Sequence, residues 1–128
     1  MGLFGKTKAK KNVLNTWIAM VDAAYTRAFE TMDISDVSQF MSRELAMKVF
    51  ETVRRGEKEY SGLSRYRNIA WKRESEKNDK IQMLKIVTYD HIKVTRGIIA
   101  SVGSDYKERW TIDRHGDDFM VTDIRRVS

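Results

Sequence analysis

The chain has 128 residues, 41% of them hydrophobic and 33% charged, which suits one globular domain and excludes a disordered chain lacking the apolar surface to offset its ordering entropy. It contains no cysteine, so a disulfide framework, a thiol nucleophile and Cys-ligated zinc or iron–sulfur centres are excluded. The formal net charge is +6, and the longest stretch without a charged residue, 12–21, falls short of the about twenty apolar residues that a spanning helix needs.

Much of the excess charge sits at the start of the chain. Lys6, Lys8, Lys10 and Lys11 occur within residues 1–12 with no acid among them, leaving 20 basic and 18 acidic residues in the remainder. The sequence predicts a basic flexible arm over 1–12, followed by a single domain over 13–128. Leu3 and Phe4 beside four lysines are the elements of reversible attachment to an anionic membrane surface. The arm lacks the apolar core of a secretory signal. A cytoplasmic location is expected, peripheral at the inner face of a membrane where the arm engages it. The near-balanced charge of the domain, with no aromatic stacking motif, disfavours nucleic acid as a partner.

From Val13 to Met32, Leu14, Trp17, Ile18, Val21, Tyr25, Ala28, Phe29 and Met32 recur at intervals of three and four, one face of a long amphipathic helix. Asp33 or Ser35 is placed to cap a short second helix running to about Met41. Ser42, with Glu44 in the first turn, opens a third helix whose apolar positions are Leu45, Val49, Phe50 and Val53. Past Gly62 the period falls to two, the mark of strands. The first covers residues 66–73 with Ile69 and Trp71 on one face, and the polar run 74–80 connects it to a long β-branched strand over 81–94. Arg96 and Gly97 turn the chain into a third strand over 98–114, in which Gly103 marks a bulge or bend. A tight turn over 115–118 leads into the last strand, 119–127. Helices followed by antiparallel strands define an α+β fold, three N-terminal helices packed on a strongly curved sheet of about four strands.

This pattern resembles the cone-shaped nuclear-transport-factor-two-like superfamily, and within it the Tim forty-four-like domain. The matching segments are Tyr25-Thr26-Arg27-Ala28-Phe29 with Met32-Asp33-Ile34, then Phe40-Met41-Ser42-Arg43-Glu44-Leu45. The third is Glu108-Arg109-Trp110-Thr111-Ile112-Asp113-Arg114-His115-Gly116 with Phe119-Met120-Val121-Thr122-Asp123-Ile124. Phe119 stands where the family usually has Trp. The resemblance implies a non-enzymatic binding or scaffold domain engaging a protein partner, with an apolar pocket between helices and sheet. Other branches of the superfamily imply an alternative, a small-molecule-binding protein or an enzyme of isomerase or hydrolase type, with Asp22 or Asp90 as the polar group in the cone.

No cofactor, metal site or catalytic set emerges from the residues themselves. His91 and His115 fall on different elements, and the oxygen-rich run Asp113-Arg114-His115-Gly116-Asp117-Asp118 is where a hairpin turn needs Asp and Gly. Asp90 and His91, adjacent on a strand, point to opposite faces. Trp17, Tyr25, Phe29, Trp71 and Trp110 fall at helix and strand periods as core, or as the lining of a pocket for an apolar ligand. The basic group from Arg54 to Arg73 is interleaved with acids, as on a solvated face. Met83, Val87 and Tyr89 are expected as an exposed strand face through which the chain forms a homodimer.

Overall fold

The computed structural model describes residues 2–55 and 64–127, and within them all side chains except those of 2–12, 64–67, 91–94, 101, 102 and 104. Three helices come first, α1 (Gly2–Thr31), α2 (Ser35–Ser38) and α3 (Arg43–Arg54). Strands β1 (Ser64–Lys77), β2 (Lys80–Thr95), β3 (Ile98–His115) and β4 (Asp118–Arg126) then form one antiparallel sheet in the order β1-β2-β3-β4. The fold is α+β, and the helices cover one face of the sheet through a shared apolar core.

Helix α1 begins at Gly2, well before Val13. Its stripe of Leu14, Ile18, Val21, Tyr25, Ala28 and Phe29 is buried, with Trp17 partly so. It stops at Met32, which takes a left-handed φ of 59°. Among the described residues no helix is long and apolar enough to cross a membrane. The side chains expected at an anionic surface, Leu3, Phe4, Lys6, Lys8, Lys10 and Lys11, lie outside the described residues.

Helix α2 ends at Ser38, short of the expected Met41, because the following backbone is committed elsewhere. Val121 N donates to Phe40 O and Ser42 N donates to Val121 O, each at 2.9 Å, which bridges Met41 to β4. Ser42 caps α3 as the sequence indicates, its Oγ accepting from Leu45 N at 3.3 Å. Leu45, Val49 and Val53 are buried at successive turns, but Phe50, expected with them, is 49% exposed. It follows Val49 by one residue and is therefore rotated about 100° from the buried line.

Tight turns set the sheet's register. Asn78 and Asp79 have φ of 53° and 62°, and Arg96 and Gly97 have 53° and 79°, the left-handed pair that two-residue hairpins of type I′ require. The expected polar connection over 74–80 thus shrinks to two residues, and Glu74 and Glu76 remain in β1, where Glu74 pairs with Arg109 at 2.7 Å and Glu76 with Arg73 at 3.1 Å. The β2–β3 ladder runs unbroken through Asp90 opposite Gly103, so there is no bulge at that glycine. Register shifts occur instead at Ser64/Tyr66 and Arg73/Ser75 in β1 and at Thr111/Ile112 in β3.

Alternation along the strands builds the core. Ile81, Met83, Lys85 and Val87 of β2 face the helices, as do Tyr106, Glu108, Trp110 and Ile112 of β3 and Val121 of β4, all buried. Met83 and Val87 are therefore core residues and not the exposed patch expected from the sequence, because the face they share is the one the helices cover. The opposite face of β2 carries Leu84 and Ile86, each half-buried.

Candidate functional site

Three of the buried residues carry charge, and they meet at one place. Asp22 lies on the apolar stripe of α1 one turn after Ile18, Lys85 falls in the inward frame of β2 between Met83 and Val87, and Glu108 lies in β3 directly opposite Lys85. Lys85 Nζ donates to Asp22 Oδ1 at 2.5 Å and lies 3.6 Å from Glu108 Oε1. Trp110 Nε1 donates to the same Glu108 oxygen at 3.3 Å. The ammonium also sits 5.6 Å from the Tyr25 ring centroid and 5.5 Å from that of Trp110, within cation–π range of both. With the Lys85 side chain 1% accessible and Asp22 6%, water is largely excluded from the pair. An ion in such surroundings is tolerated only when paired, and here the ammonium has a carboxylate on either side.

Asp22 also reaches a surface groove. Between α1 and β1, Ala19, Asp22, Ala23, Thr26, Arg27, Glu30, Ile69 and Trp71 enclose about 480 Å³. This volume lies within the range of small-molecule sites. Small side chains on the flank of α1 leave the space open, and Trp71 and Ile69, which are partly buried, supply its apolar wall. Trp71 meets Trp110 edge to face at 5.2 Å, which links the wall of the groove to the charged cluster behind it.

The expected aromatic residues separate into two groups. Tyr25, Phe29 and Trp110 are buried, with Tyr25 against Phe29 at 5.1 Å and against Trp110 at 5.4 Å. Trp71 lines the groove, whereas Trp17 packs on Phe119 at 5.3 Å and Phe40 at 6.3 Å and borders a shallow apolar depression with Val13, Thr16 and Met20. Asp90 lies opposite Gly103 on the β2–β3 ladder, away from the groove, and the His91 side chain lies outside the described residues. Near the end of β3, Asp113 lies 3.9 Å from Lys80, its partner across the ladder at the start of β2, and no cluster of three metal-ligating side chains occurs among the described residues.

Lys85 and Glu108 were not among the site residues expected from the sequence. Their signal was the strand alternation, since Lys85 shares a face with Met83 and Val87, and Glu108 shares one with Trp110. No protein-family model matches the chain, and no curated protein matches it.

Proposed function

We propose that this chain is a non-enzymatic binding domain that receives its ligand in the groove between α1 and β1. The observation that carries this is the bond between Asp22 and Lys85. Asp22, which lines the groove, is held at 2.5 Å by a buried ammonium, so the charged machinery behind the groove is closed on itself and not directed at a reacting atom. A mostly apolar wall containing an aromatic ring supplies binding surface without chemistry. The resemblance to the cone-shaped superfamily, and to its Tim forty-four-like branch, belongs to the same proposal, together with a protein partner, a homodimer through the sheet and peripheral attachment of residues 1–12 to an anionic membrane.

Titration with the neutral apolar dye Nile red tests the groove. A saturable one-to-one rise in dye fluorescence in the parent, lost in Ala23→Leu, is the expected result. The added side chain at position 23 fills the groove from an exposed position of α1 and leaves the core untouched. No saturable signal, or equal binding by that variant, removes the groove as the binding site.

One observation favours a second function, an isomerase- or hydrolase-type enzyme. Asp22 is an ionisable group lining open space, as an acid–base residue has to be. Exchange of a substrate carbon-bound proton with solvent deuterium, lost in an Asp22→Asn variant whose thermal melt matches the parent, is the result that places an isomerase-type enzyme ahead of the binder.

A further inference from the structure

We infer that the α1–β1 groove selects organic cations, molecules with an aryl or alkyl body that lies on Trp71 and Ile69 and an ammonium nitrogen directed at the carboxylates. This inference rests on the groove being a binding site, as proposed above. Charge is the first ground. Among the eight lining residues two are carboxylates, the buried Asp22 and the exposed Glu30, against one cation, the exposed Arg27. Arg27 and Glu30 are exposed, so water screens them, whereas the buried cluster of Asp22, Lys85 and Glu108 holds two carboxylates against one ammonium, and its single net negative charge is screened far less. An anionic ligand would bring a further negative charge beside this net negative cluster while losing its own hydration.

The second ground is that the protein already holds one ammonium in the same manner. Lys85 Nζ lies between carboxylate oxygens and above the rings of Tyr25 and Trp110. On its open side the groove offers the same two elements, the Asp22 carboxylate and the Trp71 ring. Aromatic rings attract cations through their quadrupole, most strongly for Trp, and a desolvated site strengthens the attraction. Ala19 and Ala23 add shape without charge, leaving room for the apolar body alongside the ring.

Three ligands sharing one body separate charge from fit: 3-phenylpropylamine, 3-phenylpropan-1-ol and 3-phenylpropionate. Backbone amide NMR titrations at low salt should move the signals of Ala23, Thr26 and Trp71, with the amine binding about tenfold or more tightly than the carboxylate and the alcohol in between. Asp22→Asn leaves the buried lysine short of a partner and can weaken folding, so Glu30→Gln is the charge variant of choice, expected to narrow the gap by about twofold to threefold. Ala23→Leu should abolish binding of all three. Equal binding of amine and carboxylate at this groove overturns cation selection while leaving the binding site standing. Absence of any shift at these residues with all three ligands overturns both.

Discussion

Lys85 Nζ and Asp22 Oδ1, 63 residues apart in sequence, lie 2.5 Å apart across the boundary between helix and sheet. Removing either member leaves a charge in a place that water scarcely reaches. Asp22→Leu or Lys85→Met alone should cost about 3–5 kcal/mol, the usual consequence of breaking a buried pair. The double variant Asp22→Leu with Lys85→Met restores apolar packing and should cost less than the two single changes together by more than about 1 kcal/mol. Urea unfolding of the four proteins measures this, and strict additivity would show that the pair does not couple α1 to the sheet.

Trp110 is fully buried and touches Tyr25, Trp71 and, through its indole nitrogen, Glu108. Trp110→Ala opens a large cavity at the centre of the core and should cost about 3–5 kcal/mol. Thermal melts that match the parent would contradict its place there. Trp110→Phe keeps most of the volume and loses the bond to Glu108, so it should fall between the two.

Much of this architecture was legible in the residues because local signals agreed. The four strands followed from the change of period after Gly62, although the first hairpin turns at Asn78 and Asp79 and not over the whole run 74–80, and Ser42 marked the start of α3 as its hydroxyl demanded. Phe50 and the end of α2 were not legible. The first depends on how far round the helix the core extends, and the second on a backbone bridge to Val121, 80 residues beyond Met41. The charged cluster lies between these cases. Asp22 falls in the apolar stripe of α1, and Lys85 and Glu108 fall in inward strand frames, so each breaks its own local pattern. That the three exceptions meet is a property of the helix–sheet packing, which no single segment encodes.

Phe50 and Val49 offer a direct comparison of two neighbours. Phe50→Ser, at a side chain 49% exposed, should change stability by no more than about 0.5 kcal/mol, whereas Val49→Ala, 5% exposed, should cost about 1 kcal/mol or more. Denaturant midpoints decide it. A larger loss for Phe50 than for Val49 would mean that the outer face of α3 is covered by something in solution.

Met32 ends α1 with a left-handed φ of 59° while more than half exposed, a position that helices commonly give to glycine. A non-glycine residue there carries about 1–2 kcal/mol of strain. Met32→Gly should therefore stabilise the chain by about 1 kcal/mol, and Met32→Ala should not. A lower melting temperature for the glycine variant would indicate that the exposed methionine makes contacts outweighing its backbone strain.

Of the exposed carboxylates that hydrogen bonds hold below their ordinary acidity range, Asp33 and Glu74 have different kinds of partner. Asp33 accepts from the Ser35 hydroxyl at 2.6 Å and the Ser35 backbone N–H at 2.9 Å, which lowers it from the ordinary 3.8. Glu74 accepts from Arg109 at 2.7 Å across β2, which lowers it from the ordinary 4.5. In both cases the folded chain gives up its proton more readily than the unfolded chain, so the unfolded state binds more protons as pH falls. Their contribution to stability is complete above the unfolded values and is lost as pH falls through the folded ones, with Glu74 affected first because its ordinary value is higher. Both side chains meet solvent, which keeps the contribution small. Carboxyl-carbon NMR titration from about pH 2 to 6 resolves the two groups. Ser35→Ala should raise the Asp33 midpoint and leave Glu74 in place, and Arg109→Gln should do the reverse. If neither substitution moves its own partner, the bonds do not persist in solution. If each substitution moves both midpoints together, the shifts come from the general field of a basic protein and not from these contacts.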